Sequence, residues 1–109
     1  MASTYKVLAQ SAPSATTNTD VYTVGSGKSA VVSTITVCNR GATSTTYRIA
    51  IRVAGATIAN EDYIAYDSTV PANDTISLTI GITLAATDVV TVYASTANLS
   101  FNIFGAEIA

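Results

Sequence analysis

Arg48 and Arg52 stand four residues apart in TTYRIAIR, and Cys38 is the chain's only cysteine. These are the residues nearest to chemistry in a sequence that has no histidine. A cysteine becomes a nucleophile when a neighbouring base or positive charge lowers its pKa. Two arginines grip an anion when their guanidinium groups converge. The carboxylates Asp20, Glu61, Asp62, Asp67, Asp74, Asp88 and Glu107 contain the raw material for a glycosidase pair or a calcium site. Six tyrosines and no tryptophan offer stacking surface for a sugar ring or broad contact area for another protein.

Spacing narrows these options. Without histidine there is no His-based triad and no histidine zinc ligand, and one cysteine builds no metal cluster. Cys38 therefore reads as a packing residue. The EF-hand spacing is absent. Asp74 and Asp88 fall in turns, and Glu61–Asp62 at a strand entrance, where carboxylates ordinarily serve turns and solvent. GSGK at 25–28 lacks the spacing and the following helix of a phosphate loop and reads as a tight turn. No catalytic residue, cofactor or metal ligand is expected, and the chain reads as non-enzymatic.

On a strand, Arg48, Ala50 and Arg52 share one face, with the arginine Cα atoms roughly 13 Å apart. That is too far to hold one small anion, and Ala50 between them is expected to leave an open, flat strip. Solvated arginines are the simpler reading. A contact with acidic residues of a neighbouring subunit is the functional one. Tyr63 and Tyr66 are expected on opposite faces of one strand, which leaves no single aromatic platform. Tyr22 and Tyr93 are expected to anchor sheet ends.

The elements that must position these groups are strands. AVVSTITVC (30–38), TTYRIAIRVAG (45–55) and TISLTIGITL (75–84) alternate with period two. Shorter strands are expected in YKVLA, VYTV, NEDYIAYDS (60–68), VVTVYAS and NLSFNIFGAEI. SAPSATTNTD (11–20) reads as a loop or extended arm, and VPAND (70–74) is the strongest turn signal. No stretch carries a sustained 3.6-residue apolar stripe. The expectation is an all-β, single-domain antiparallel sandwich spanning 1–109, immunoglobulin-like or jelly-roll-like, of about seven or eight strands. Its core is expected to hold Ile35, Val37, Tyr47, Ile49, Ile51, Ile76, Leu78, Ile80, Val90, Val92, Leu99 and Phe101.

Bulk composition sets the partners. The 109 residues suit one domain. Charged residues are only 11% of the chain, its net charge is −2, and its five cations form no block, so direct nucleic-acid binding is not expected. No run approaches 18 apolar residues, so no membrane span is expected. MASTYKVLAQ lacks the basic-then-apolar plan of a signal peptide. NDT (73–75) and NLS (98–100) match the glycosylation pattern but read as turn residues. A surface built mainly from Thr, Ser, Ala and Asn costs little to dry and suits packing against another protein. Phe104, in the apolar C-terminal segment FNIFGAEIA, is a further candidate subunit contact, and a homo-oligomer is expected.

TTNTDVYTVGSGKSAVVSTITVCNRG, with TTYRIAI and VPANDTISLTIGITL, resembles small virion structural proteins of tailed bacteriophages, especially those of cyanobacteria. The resemblance covers nearly the whole chain. It implies a non-enzymatic component of the virion. The favoured placement is a capsid decoration or cement protein that binds other virion proteins, above all the major capsid protein. The alternative is a tail-, neck- or fibre-associated domain with host-glycan binding. That family carries no catalytic motif to transfer.

Overall fold

The computed structural model describes residues 2–109. Its strands are β1 (Ser3–Ser11), β2 (Thr19–Thr23), β3 (Ser29–Asn39), β4 (Thr45–Arg52), β5 (Tyr63–Val70), β6 (Thr75–Leu78), β7 (Ile82–Leu84), β8 (Val89–Ala94) and β9 (Leu99–Ile108). Two short 3-10 turns, Val53–Gly55 and Asn60–Asp62, lie between β4 and β5.

The topology is that of one long hairpin folded at the β4–β5 connection. Outward from that connection β4 pairs with β5, β3 with β6 and β7, β2 with β8, and β1 with β9, all antiparallel. Rolling the ribbon up adds the antiparallel pairs β9–β3 and β8–β4. The first sheet is then ordered β1-β9-β3-β6, with β7 also on β3, and the second β2-β8-β4-β5. This wrapping is a jelly roll. Of the two sandwich types expected, it is the one that forms.

Period two places the core, with one break in β3, where a bulge between Val32 and Thr34 brings Val32 to the face of Ile35 and Val37. Val32, Ile35 and Val37 of β3, Tyr47 and Ile49 of β4, Val90 and Val92 of β8, and Leu99, Phe101 and Ile103 of β9 are all buried between the sheets. Each fully buried side chain of this size contributes roughly 1.5–3 kcal/mol. Tyr47 meets Phe101 across the sandwich edge to face, with ring centroids 6.3 Å apart. Ile51, Ile76 and Leu78 pack against this cluster at its margin.

Ile80 is the exception among the expected core residues, being 46% exposed. The single strand expected over TISLTIGITL is cut by Gly81, whose φ of 56° takes the chain out of the ladder. Its halves, β6 and β7, both remain on β3. That cut turns the eight segments expected from the sequence into nine strands. The 11–20 segment also differs from a free arm. Ser11 ends β1, Thr19 begins β2, Pro13 is buried, and the Thr16 amide donates to the Ala94 carbonyl at 2.8 Å.

Two buried polar groups close the ends. At one end Asn39 is 1% exposed. Its carboxamide nitrogen donates to the carbonyls of Thr43, Val70 and Pro71 at 2.9–3.2 Å, and its oxygen accepts the Gly41 amide at 2.9 Å. At the other end the Asp88 carboxylate accepts the amides of Ala54 and Ala85, each at 2.9 Å. The GSGK segment is the expected tight turn, with the Lys28 amide donating to the Gly25 carbonyl at 3.2 Å.

The first sheet is irregular at Phe104–Gly105. Both neighbours of β9 carry a bulge beside this pair, β1 between Val7 and Ala9 and β3 between Val32 and Thr34. A Cβ on Gly105 would collide with the backbone carbonyl of Val31. Gly105→Ala is therefore expected to cost about 3 kcal/mol, at the top of the range for overpacking because backbone yields less than side chain. Chemical denaturation followed by circular dichroism measures it, and a loss below about 1 kcal/mol would mean that this close approach is not locked.

The open sides of the two sheets are tied by Tyr22 of β2. Its hydroxyl donates to Glu107 Oε2 of β9 at 2.7 Å, and Lys6 Nζ of β1 lies 2.8 Å from Glu107 Oε1. Hydrogen bonds from Lys6 and then Tyr22 hold the Glu107 carboxyl below its usual pKa of 4.5. Burial, reinforced by the Glu107 carboxylate, pushes the Tyr22 phenol above its usual 10.0. A depressed acid stabilises the fold above its unfolded pKa and loses that contribution as pH falls through the folded value. A raised phenol stabilises below pH 10.0 and loses its contribution as pH climbs beyond. Stability is thus expected to decline below about pH 4.5 and above about pH 10. In Tyr22→Phe the alkaline decline should flatten, as read from urea midpoints across pH. An unchanged alkaline slope in that variant would remove Tyr22 from the linkage.

Candidate interaction surfaces

The structure separates the four residues singled out as candidate contacts. Arg48, Ala50 and Arg52 lie on the outer face of the β2-β8-β4-β5 sheet, while Phe104 lies on the outer face of the other. Each arginine takes an acid from its own chain rather than waiting for a neighbour's. Arg48 Nε donates to Asp67 Oδ1 of β5 at 2.7 Å. Arg52 donates to Asp20 Oδ1 of β2 at 2.8 Å and to the carbonyls of Gly55 and Ala56 at 2.7 and 2.8 Å. Arg52 thereby staples the chain that leaves β4. The two guanidinium groups serve different partners and form no joint anion site.

Ala50 is not the floor of an open strip, as the sequence pattern suggests. It is 1% exposed. In register it sits between Thr91 and Tyr63, and along β4 between Arg48 and Arg52, so larger side chains on every side roof its methyl group.

Tyr63 and Tyr66 also depart from expectation. Alternation would put them on opposite faces, but β5 is irregular twice. Ile49 pairs with Ala65 while Tyr47 pairs with Ser68, and Ala50 pairs with Tyr63. Two extra residues therefore sit in β5. Asp67 at one of these bulges has φ of 51°, a conformation Asp tolerates better than most residues. The bulge between Tyr63 and Ala65 reverses the alternation and puts both tyrosines on the outer face, with ring centroids 4.9 Å apart and planes at 83°.

Arg48 completes the group. Its guanidinium carbon lies 4.2 Å from the Tyr66 ring centroid and 4.3 Å from that of Tyr93, its cross-strand partner. A planar cation between two rings is held by ring quadrupoles on both sides. Its hydrogen bond to Asp67 raises a pKa that is already high, so the group stays charged. On the same face Thr91 Oγ1 and then Arg52 hold the Asp20 carboxyl below its usual range. A recess of about 360 Å³ lined by Asn60, Tyr63 and Tyr66 opens at the end of the row.

The outer face of the first sheet has a different character. Tyr5 and Val7 of β1, Val31 of β3, and Phe104, Ala106 and Ile108 of β9 line a groove of about 670 Å³. Cross-strand register puts Tyr5 beside Ala106 and Val7 beside Phe104. Tyr5 is 86% exposed and Val7 48%. The apolar C-terminal segment was legible in the sequence. Its partners on β1 and β3 were not, because two bulges set their facing.

The remaining candidates have local roles. Cys38 is half-buried on β3 between Thr75 and Ser100 in register. Asp62 accepts the Ala59 amide at 2.9 Å and Asp74 the Thr75 amide at 2.8 Å. Among the described residues, no group of three or more acidic or cysteine side chains is placed to hold a metal ion, and no helix is long and apolar enough to cross a membrane. No protein-family model matches the chain, and no curated protein is found similar to it.

Arg48→Lys removes the plane that fills the gap between the rings and keeps the charge. A lower melting temperature and shifted Tyr66 and Tyr93 ring resonances are expected. Unchanged ring resonances would show that the rings hold their places without the guanidinium.

Proposed function

We propose that this protein is a non-enzymatic structural component of a bacteriophage particle, a decoration or cement protein that stabilises the capsid by bridging its subunits. The observation that carries the assembly part is the exposed apolar face built by Tyr5, Val7 and Phe104 over Val31, Ala106 and Ile108. Exposed apolar surface of this kind on a small domain favours a protein partner. A scarcity of charge makes the face cheap to desolvate, since only 11% of residues are charged. Jelly rolls serve as viral capsid and lectin domains, so the fold is compatible with the role while the surface has to specify it. The phage assignment rests on the sequence resemblance.

On this reading the face packs against the major capsid protein or a second copy of the chain, and repetition turns modest contacts into a reinforced shell. Placement on a neck, tail or fibre is the competing reading, and copy number separates the two. Quantitative mass spectrometry of purified virions, capsids and tails is expected to find the chain in capsids at lattice-scale copy number. Finding it in tails alone would overturn the capsid placement.

Tyr5→Ala tests the surface itself. Tyr5 is so exposed that the change should leave folding stability within about 0.5 kcal/mol. As an aromatic anchor it should cost binding to capsids about 2 kcal/mol, roughly a thirtyfold loss of affinity. Full occupancy by the variant at limiting concentration would exclude this face from the interface.

A further inference from the structure

The geometry points to a binding site for a neutral carbohydrate on the outer face of the second sheet, at Tyr63, Tyr66 and Asn60. This goes beyond the proposed assembly role and does not depend on where in a particle the protein sits, because the assembly face belongs to the opposite sheet.

The site's construction is the first argument. A one-residue bulge between Tyr63 and Ala65 brings Tyr63 to the same face as Tyr66. A second bulge, directly after Tyr66, holds Asp67 at positive φ, and backbone strain of this kind gathers at binding sites. Tyr66 keeps 57% of its surface exposed while its ring is fixed by Arg48 on one side and by contact with Tyr63. Arg48 is held in turn by Tyr93 and Asp67. A fixed, exposed aromatic ring loses little entropy when a ligand stacks on it.

Ligand chemistry follows from the lining. Pyranose rings present apolar C–H faces and a rim of hydroxyls. Tyrosine rings match the faces, while the two phenol hydroxyls and the Asn60 carboxamide can donate to and accept from the rim. The recess of about 360 Å³ lies near the lower end of the ligand-pocket range of roughly 300–1,000 Å³, which suits one or two sugar rings. The nearest cation, Arg48, is already paired with Asp67 at 2.7 Å and enclosed by two rings. The site therefore has no uncommitted positive charge for a sialylated or sulfated glycan. The guanidinium also takes the place between the Tyr66 and Tyr93 rings where a quaternary ammonium would otherwise stack.

The test is a backbone-amide NMR titration of the full chain. The neutral probes are maltose, cellobiose, lactose and chitobiose, and the acidic ones are sialyllactose and a heparin disaccharide. At least one neutral probe is expected to shift resonances of residues 60–66 in a saturable manner, with weaker or no response to the acidic ones. Tyr66→Ala should weaken that binding by about tenfold or more. Because Tyr66→Ala also frees Arg48, Asn60→Ala serves as the second variant. Asn60 is exposed and takes no part in the stacking of Arg48 on Tyr66 and Tyr93, so a loss of about threefold or more in a fully folded protein supports the site. No saturable shift at 60–66 with any neutral probe overturns the proposal. So does tighter binding of the acidic probes, or binding unaffected by both variants. Failure here leaves the capsid experiments untouched.

Discussion

The carboxamide of Asn39 holds the two places where the chain crosses from sheet to sheet on either side of β4–β5. It sits at the end of β3, which belongs to the first sheet, and reaches Thr43 before β4 of the second. It also reaches Val70 and Pro71, where β5 of the second sheet gives way to β6 of the first. One buried side chain thereby fixes the outgoing and returning halves of the folded hairpin against each other. Backbone contacts complete the knot, from the Asn39 amide to the Asp74 carbonyl and from the Asn73 amide to the Gly41 carbonyl. The Asn39 side chain is itself buried, and bonding to several backbone groups at once offsets the cost of taking its amide out of water.

Asp88 is the counterpart at the opposite end. Its carboxylate joins the turn before β8 to the chain leaving β4, and reciprocal backbone bonds link Val24 with Asp88 and Thr87. With both ends closed by polar ties and the interior filled by aliphatic side chains, binding surface is left to the two outer faces. They diverge because their bulges differ. In the first sheet the bulges flank Gly105 and expose an apolar groove. In the second, a bulge in β5 gathers tyrosines around an arginine. One scaffold thus offers a dry face and a mixed aromatic-polar one.

Much of this was legible in the sequence. Alternation identified β4, β8 and β9 and most of the buried residues, because a strand that faces a core on one side must alternate, while in β3 a bulge moves Val32 onto the core face beside Ile35 and Val37. The failures share a cause. Ile80 alternates correctly on paper, yet Gly81 breaks the strand beside it. Tyr63 and Tyr66 are of opposite parity, yet one bulge between Tyr63 and Ala65 resets the count. Ala50 follows the parity of Arg48 and Arg52, but its burial depends on the neighbours across the sheet. Parity holds only while the ladder is regular, and bulges at non-glycine residues such as Asp67 leave no sequence mark as plain as Gly81. The buried role of Asn39 was hidden for a related reason. The Asn-Arg-Gly run at 39–41 signals a turn, and nothing local says that the turn will be roofed by another crossing.

The charges complete the argument about partners. Lys6 is paired with Glu107, Arg48 with Asp67 and Arg52 with Asp20, while Arg40 binds Ser100 Oγ and the Ala97 carbonyl. These cations brace strands and connections, and a net charge of only −2 leaves little long-range field. A surface without such a field neither steers a partner from a distance nor repels a copy of itself. Recognition then rests on contact alone, through apolar fit at Tyr5 and Phe104 on one face and ring stacking at Tyr66 on the other. Contacts of that kind change little with salt, because there is little charge to screen. For a protein whose proposed work is to remain attached to a large assembly through changes of medium, spending its few charges internally serves persistence better than attraction.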